Sequence, residues 1–147
     1  MIILNIKEEL KKGKNIYELP LNVCFYARVS TLNELQKTSI TNQTTYFKNY
    51  IKNIPNWNLV AEFIDEGISG KNINERPSLI KLIEDIKNKK VNNVLVYKID
   101  RLTRSTKDLI ELIELFNLHD CSFNSLSESI DTKTSTGRMF IKIIGIF

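Results

Sequence analysis

Histidine is nearly absent from this chain: His119 is the only one in 147 residues. It stands just before a weak apolar segment at 121–126, so in an α/β order it lies at the sheet edge opposite the loops that follow strands. A Ser-His-Asp hydrolase needs an imidazole within reach of its serine, and no Gly-x-Ser-x-Gly elbow is present either. No glycine-rich phosphate loop follows the first strand, which removes a dinucleotide-binding reading. The two cysteines, Cys24 and Cys121, lack zinc-ligand spacing, so no metal is assigned. Both are expected to be reduced and buried. Apolar runs are too short to span a bilayer. Met1-Ile2-Ile3-Leu4 is too short for a secretion signal and no cleavage pattern follows it, so a cytoplasmic protein with no membrane partner is expected. The excess of one sign of charge is also small. The net charge of +4 and pI near 9.0 permit a nucleic-acid partner without demanding one.

What is present reads as one ordinary globular domain, with 42% hydrophobic and 26% charged residues and no internal repeat. Residues 1–20 are polar and end at Pro20; they read as an N-terminal extension with a short helix around Lys7–Lys12. Strands are expected at Val23–Val29, Trp57–Ile64, Val91–Ile99 and, more weakly, Cys121–Leu126. Val94-Leu95-Val96-Tyr97 is continuously apolar, as a parallel strand covered on both faces should be. Between the strands, apolar residues recur at helical spacing. Ile40, Phe47, Tyr50, Ile51 and Ile54 follow Ser39 as N-cap, and Leu79, Leu82, Ile83 and Ile86 follow Pro77. Leu109, Leu112, Ile113 and Phe116 follow a cap at Ser105 or Thr106, and an apolar helix starts at Gly137 and is still running at Phe147. Segments 65–76 and 127–135 read as loops. The alternation predicts an α/β fold, a central, mostly parallel sheet flanked by helices.

In such a sheet functional loops gather at the carboxyl ends of the strands. Ser30, Asp65, Asp100 and Glu128 each follow a strand and therefore share one edge, together with Arg28, Arg101 and Arg104. Guanidinium forks match phosphate oxygens and stay charged, and a serine in that field can act as a covalent nucleophile. The base is open between Asp100 and Asp65. Taken singly, each feature has a plain explanation: Ser30 as a turn residue, Asp100-Arg101 as a surface ion pair of little worth, Gln43 as a solvated helix residue. Joint placement at one edge is what points to phosphoryl transfer.

Several ordered motifs over residues 22–147 resemble the serine recombinases, the family of resolvases, invertases and large serine integrases. They are Tyr26–Thr31, Ser39-Ile40 with Gln43, Asp65-Glu66-Gly67-Ile68-Ser69-Gly70 with Arg76-Pro77, Asp100–Arg104, and Ser125-Leu126 with Glu128 and Gly137-Arg138. The Gly-Ile-Ser-Gly and Arg-Pro wording is most similar to the large serine recombinases. The resemblance implies a resolvase-like catalytic domain in which Ser30 forms a 5′-phosphoserine link to DNA and releases a 3′-hydroxyl. Arg28, Arg76, Arg101 and Arg104 would hold the scissile phosphate, Asp100 would orient arginines or handle protons, and Gln43 would support the site. Asp65, Gln36 and Lys87 are further supporting candidates. It implies no metal and no cofactor. The partners would be double-stranded DNA recombination sites and copies of the protein itself, as a dimer and a synaptic tetramer of the full-length enzyme.

The expected organisation is an extension at 1–20, the catalytic domain at 21–136, and the start of a long interface helix at 137–147. Such a fragment is expected to be inactive by itself, since the family's interface helix and DNA-binding region continue further. The rival readings are a catalytically inactive recombinase-like DNA-binding or regulatory module, and a small phosphatase-type hydrolase.

Overall fold

A computed structural model describes residues 4–29, 34–66, 75–103, 105–127 and 130–131. The centre of the molecule is β1 (Leu21–Val29), whose run from Val23 to Ala27 is wholly buried. It is flanked by β2 (Trp57–Glu66) and β3 (Asn93–Val96); β4 (Ser122–Ser125) and the two-residue β5 (Ile130–Asp131) complete the order β2-β1-β3-β4-β5. The first four strands are parallel, and β5 runs antiparallel to β4. Each parallel crossover carries a helix, as the geometry of such connections requires. α2 (Glu34–Lys52) joins β1 to β2, α3 (Pro77–Lys87) joins β2 to β3, and a short α4 (Ile99–Leu102) with α5 (Thr106–Leu118) joins β3 to β4. The α/β fold with a mostly parallel sheet is the one the alternation predicts.

Two cores lie on the two faces of the sheet. On one, Cys24, Tyr26, Phe63, Val94, Val96 and Phe123 pack against Leu79, Leu82 and Ile86 of α3 and Leu109, Leu112, Ile113 and Phe116 of α5. On the other, Val23, Phe25 and Leu95 pack against Phe47 and Ile51 of α2 and against Ile6, Ile16 and Leu19. Phe25 and Phe47 stack at 4.7 Å. The two thiols are buried and unbridged. Burial, with Cys121 and Asp85 nearby, pushes the Cys24 thiol well up, so it stays protonated and inert.

Several boundaries differ from the sequence reading. α2 begins at Glu34 rather than after a cap at Ser39, because its first turns carry no apolar face to announce them. The predicted loop at 127–135 contains β5, and the arginine segment winds into α4 instead of a plain loop. Asp65 belongs to β2. The first 20 residues are packed onto the sheet: α1 (Ile6–Lys11) and a 3₁₀ turn (Ile16–Glu18) bury Ile6 and Ile16, and the Trp57 Nε1–H donates to the Ile16 carbonyl at 3.2 Å. The helix expected from Gly137 lies outside the described residues.

Candidate active site

Because β1 to β4 are parallel, their carboxyl ends share one edge. At that edge the chain puts charge where apolar burial would be the default. Arg28 is 1% exposed and Arg76 is 0% exposed. A buried guanidinium is costly unless its donors are met. Arg28 lies opposite Asp65 in the β1–β2 register, on the same sheet face as Tyr26.

Arg76 is held in detail. Its Nε–H donates to the Tyr26 hydroxyl at 3.1 Å and its Nη2–H to the same oxygen at 2.9 Å. Nη2 also donates to the Arg101 carbonyl at 3.0 Å, and the guanidinium carbon lies 5.1 Å from the centre of the Tyr26 ring. The Tyr26 hydroxyl in turn donates to Asp65 Oδ2 at 2.7 Å. Burial, then the bond to Asp65, push the phenol well above its ordinary value, against the pull of Arg76. It is therefore a protonated donor at neutral pH and no base.

Asp65 is committed elsewhere too. Its Oδ1 accepts the Ser78 N–H at 2.9 Å and its Oδ2 the Leu79 N–H at 3.1 Å. Those are orphan donors of the first turn of α3, whose own N-cap residue, Arg76, contributes no side-chain cap. The carboxylate of β2 thus caps α3 from outside, and Asp65, 2% exposed, is a poor choice for moving a proton. Across the edge, α4 presents Arg101, and Thr103 Oγ1 accepts the Ser105 N–H at 3.0 Å. Ser105 then caps α5 by accepting the Asp108 N–H at 3.2 Å.

Nη1 of Arg76 and Nε of Arg101 are buried donors with no partner among the described residues. Unsatisfied buried N–H groups are rare and call for an explanation. Two guanidiniums offering free donors at one edge make a receptor for an anion with several oxygens. No three His, Cys, Asp or Glu side chains converge as metal ligands among the described residues.

Comparison with known proteins places the chain in a family. Residues 23–147 match the family described as "Resolvase, N terminal domain". The chain belongs to that family, the catalytic domain of the serine recombinases. It is 34% identical over 119 residues to the Transposon Tn917 resolvase of Enterococcus faecalis, covering 81% of this chain and 56% of that protein. The chain thus spans about half the length of that curated relative. Among solved structures it is similar to the N-terminal catalytic domain of TP901-1 integrase, at 40% identity and a TM-score of 0.76, covering 83% of this chain and 90% of the other. A resolvase family site-specific recombinase from Streptococcus pneumoniae matches at 27% identity and a TM-score of 0.70, covering 84% and 82% of the two chains.

Within this recombinase domain, the sequence-derived residues separate into groups. Arg28, Asp65, Arg76 and Arg101 come together at the carboxyl edge, with Asp100 in α4 beside Arg101. Gln43 lies half-buried on α2, and Gln36 falls in the early part of the same helix. Ser30 and Arg104 lie outside the described residues; Val29, which precedes Ser30, and Thr103 and Ser105, which flank Arg104, are at this edge. Lys87 is not brought to the site. It is exposed in the last turn of α3, about 16.5 Å along the helix from Arg76 by the rise per residue. Tyr26 is the residue whose part the sequence reading missed, because an aromatic inside a strand reads as core.

Proposed function

We propose that this recombinase domain cuts and rejoins DNA through a covalent bond to Ser30. The observation that carries the reading is the pair of buried, unmatched guanidinium donors, Arg76 Nη1 and Arg101 Nε, at the edge where β1 runs on toward position 30. Phosphodiester attack adds negative charge to the non-bridging oxygens, and fixed guanidinium donors stabilise that charge at the transition state. In the reaction the Ser30 Oγ bonds to phosphorus, the bond from phosphorus to the 3′-oxygen breaks, and that oxygen leaves as a 3′-hydroxyl. The serine proton passes to a base. Asp65 is ill placed for this because both its oxygens are engaged, which leaves Asp100, one residue from Arg101 in α4, as the carboxylate assigned to the proton or to orienting arginines. Attack of a new 3′-hydroxyl on the phosphoserine reverses the chemistry with no outside energy source. Arg28 and Arg104 complete the phosphate site, and Gln43 supports it from α2.

The substrate is duplex DNA carrying a recombination site, acted on in the cytoplasm by a dimer that pairs into a synaptic tetramer. The modest net charge of +4 agrees with a catalytic unit that depends on further segments for tight DNA binding. The test is Ser30→Ala in a recombinase containing this chain. Covalent attachment to site-bearing DNA should vanish while folding is retained. Trapped adduct at the parental level would rule the assignment out.

A further inference from the structure

Positions 35–61 contain no Asp or Glu, in a chain with 17 such residues among 147, and no other interval between acids is as long. Helix α2 fills most of that interval. The other described helices differ: α1 carries Glu8 and Glu9, α3 Glu84 and Asp85, α4 Asp100, and α5 Asp108, Glu111 and Glu114. We propose that the outer face of α2 is a track for the DNA backbone, along which the duplex flanking the cut phosphate is held. This deepens the reading of the site as a phosphodiester receptor and rests on it.

The exposed side chains of α2 follow one another at helical spacing as Asn42, Thr45, Tyr46, Lys48, Asn49 and Lys52. Hydroxyl, amide and ammonium groups are the donors that proteins turn to phosphate oxygens, and none of these side chains repels a polyanion. From Asn42 to Lys52 the stripe runs about 15 Å, the length over which one DNA strand presents about four phosphates. It begins beside Gln43 in the helix that follows β1, so it continues from the edge that carries Arg76 and Arg101. Its base is rigid. Phe47 stacks on Phe25 of the central strand at 4.7 Å, and Tyr97 meets Tyr46 edge-on at 6.0 Å and 86°. Tyr46 is thus held in place while 49% of it stays exposed. One acid intrudes from β2: Glu62 Oε2 lies 3.5 Å from Lys48 Nζ, with both side chains well exposed. An exposed pair of this kind contributes little and yields to a phosphate. A helix face that meets only water has no need to exclude acids, as the exposed Glu84 of α3 and Glu111 of α5 show; a face laid against DNA does.

The experiment uses Lys48→Gln with Lys52→Gln in a recombinase containing this chain, and reads DNA binding against salt. Both lysines are exposed, so folding is retained. Each lost phosphate contact should lower the slope of log affinity against log salt by about 0.9, and the pair by about 1.8. Between about 50 and 200 mM salt the parent should therefore lose about 12-fold more affinity than the variant. Glu62→Gln, which frees Lys48, should tighten binding. Lys81→Gln with Lys90→Gln removes the same charge at α3 and the turn after it, and should leave the slope unchanged. An unchanged slope in the α2 variant, an equal change in the α3 control, or weaker binding by Glu62→Gln overturns the inference. So does loss of self-association in sedimentation with DNA binding intact, since that marks α2 as a surface facing protein. Covalent adduct surviving in Ser30→Ala would instead sink the reading of the site, so the two failures are distinguishable.

Discussion

Two aspartates at opposite edges of the sheet do the same local job and differ in what they are wired to. At the carboxyl edge Asp65 accepts the N–H groups of Ser78 and Leu79 and so caps α3. At the amino edge Asp120 accepts the Ile6 N–H at 2.6 Å and the Lys7 N–H at 3.3 Å, and so holds the start of α1. Both bridge segments distant in sequence, and both place negative charge at a helix start, where the backbone dipoles favour it. Asp120 sits half-exposed at a turn with φ of 52°, a conformation that Asp tolerates. Asp65 is buried and receives the Tyr26 hydroxyl as well. A carboxylate beside arginines is thus no acid or base by position alone. Here the one that caps α3 is an anchor, linked to Arg76 through the Tyr26 hydroxyl.

The comparison can be broken by substitution. Asp65→Ala should have the largest effect, because it strips the α3 cap and leaves Tyr26 and Arg76 without an anchor. A stability loss of about 3–5 kcal/mol in denaturant titration, together with loss of DNA cleavage, is expected from breaking a buried charged network. A loss below 1 kcal/mol would mean that the network does not bear on the fold. Arg101→Lys keeps the charge but loses the planar fork, and should raise the cleavage barrier by roughly 2.7–4 kcal/mol without unfolding the protein. Near-parental kinetics would reduce Arg101 to a surface charge. Asp120→Ala should cost only about 0.5–2 kcal/mol, the range of a lost helix cap, with cleavage unchanged. If cleavage fell with Asp120→Ala while stability held, the two edges would not be separable in function.

The smallest effect is in alkaline stability. The Tyr26 phenol is raised above its ordinary value of 10.0 in the folded state, so the folded protein holds that proton when the unfolded chain has released it. Its contribution is complete below pH 10 and is lost as pH rises beyond that, by at most about 1.4 kcal/mol per pH unit. Tyr26→Phe should flatten that part of the profile, measured as thermal midpoint against pH. Cys24, raised from 9.0, adds a loss of the same sign that begins about one unit earlier and persists in the Phe variant.

Much of the fold was legible because burial on both faces leaves a plain mark. Val94-Leu95-Val96 reads as a central parallel strand, and it is one. Pro77 and Ser105 mark helix starts, Pro77 as the first helical residue of α3 and Ser105 as the local cap of α5, and both positions are observed. The N-terminal packing was not legible, since Ile6, Ile16 and Leu19 are isolated apolar residues in a polar stretch with no period to count. At the candidate site, Arg76 came only with the family resemblance, whereas the gathering of Arg28, Asp65 and Arg101 followed from strand order. The role of Asp65 did not, because its cap acts on a helix that begins 12 residues later, beyond any local capping pattern. A usable signal was present in Arg76-Pro77: a helix start with no Ser, Thr, Asp or Asn at the cap needs a remote acceptor.

The central position of β1 has a consequence in time. On the ribosome it is the first of the described strands of this sheet to emerge, yet Val23 meets one neighbour at Leu59 and the other only at Asn93, 70 positions downstream. At roughly 5–20 residues per second, its second edge stays open for about 4–14 s of synthesis. During that interval the nascent chain exposes an unpaired apolar edge, the kind of template that recruits other chains. Stalled chains that stop short of Asn93 should therefore be bound by holding chaperones, and chains stalled after all four parallel strands have emerged should be released. The strand that later carries Tyr26 and Arg28 into the site is the one most in need of protection while the protein is being made.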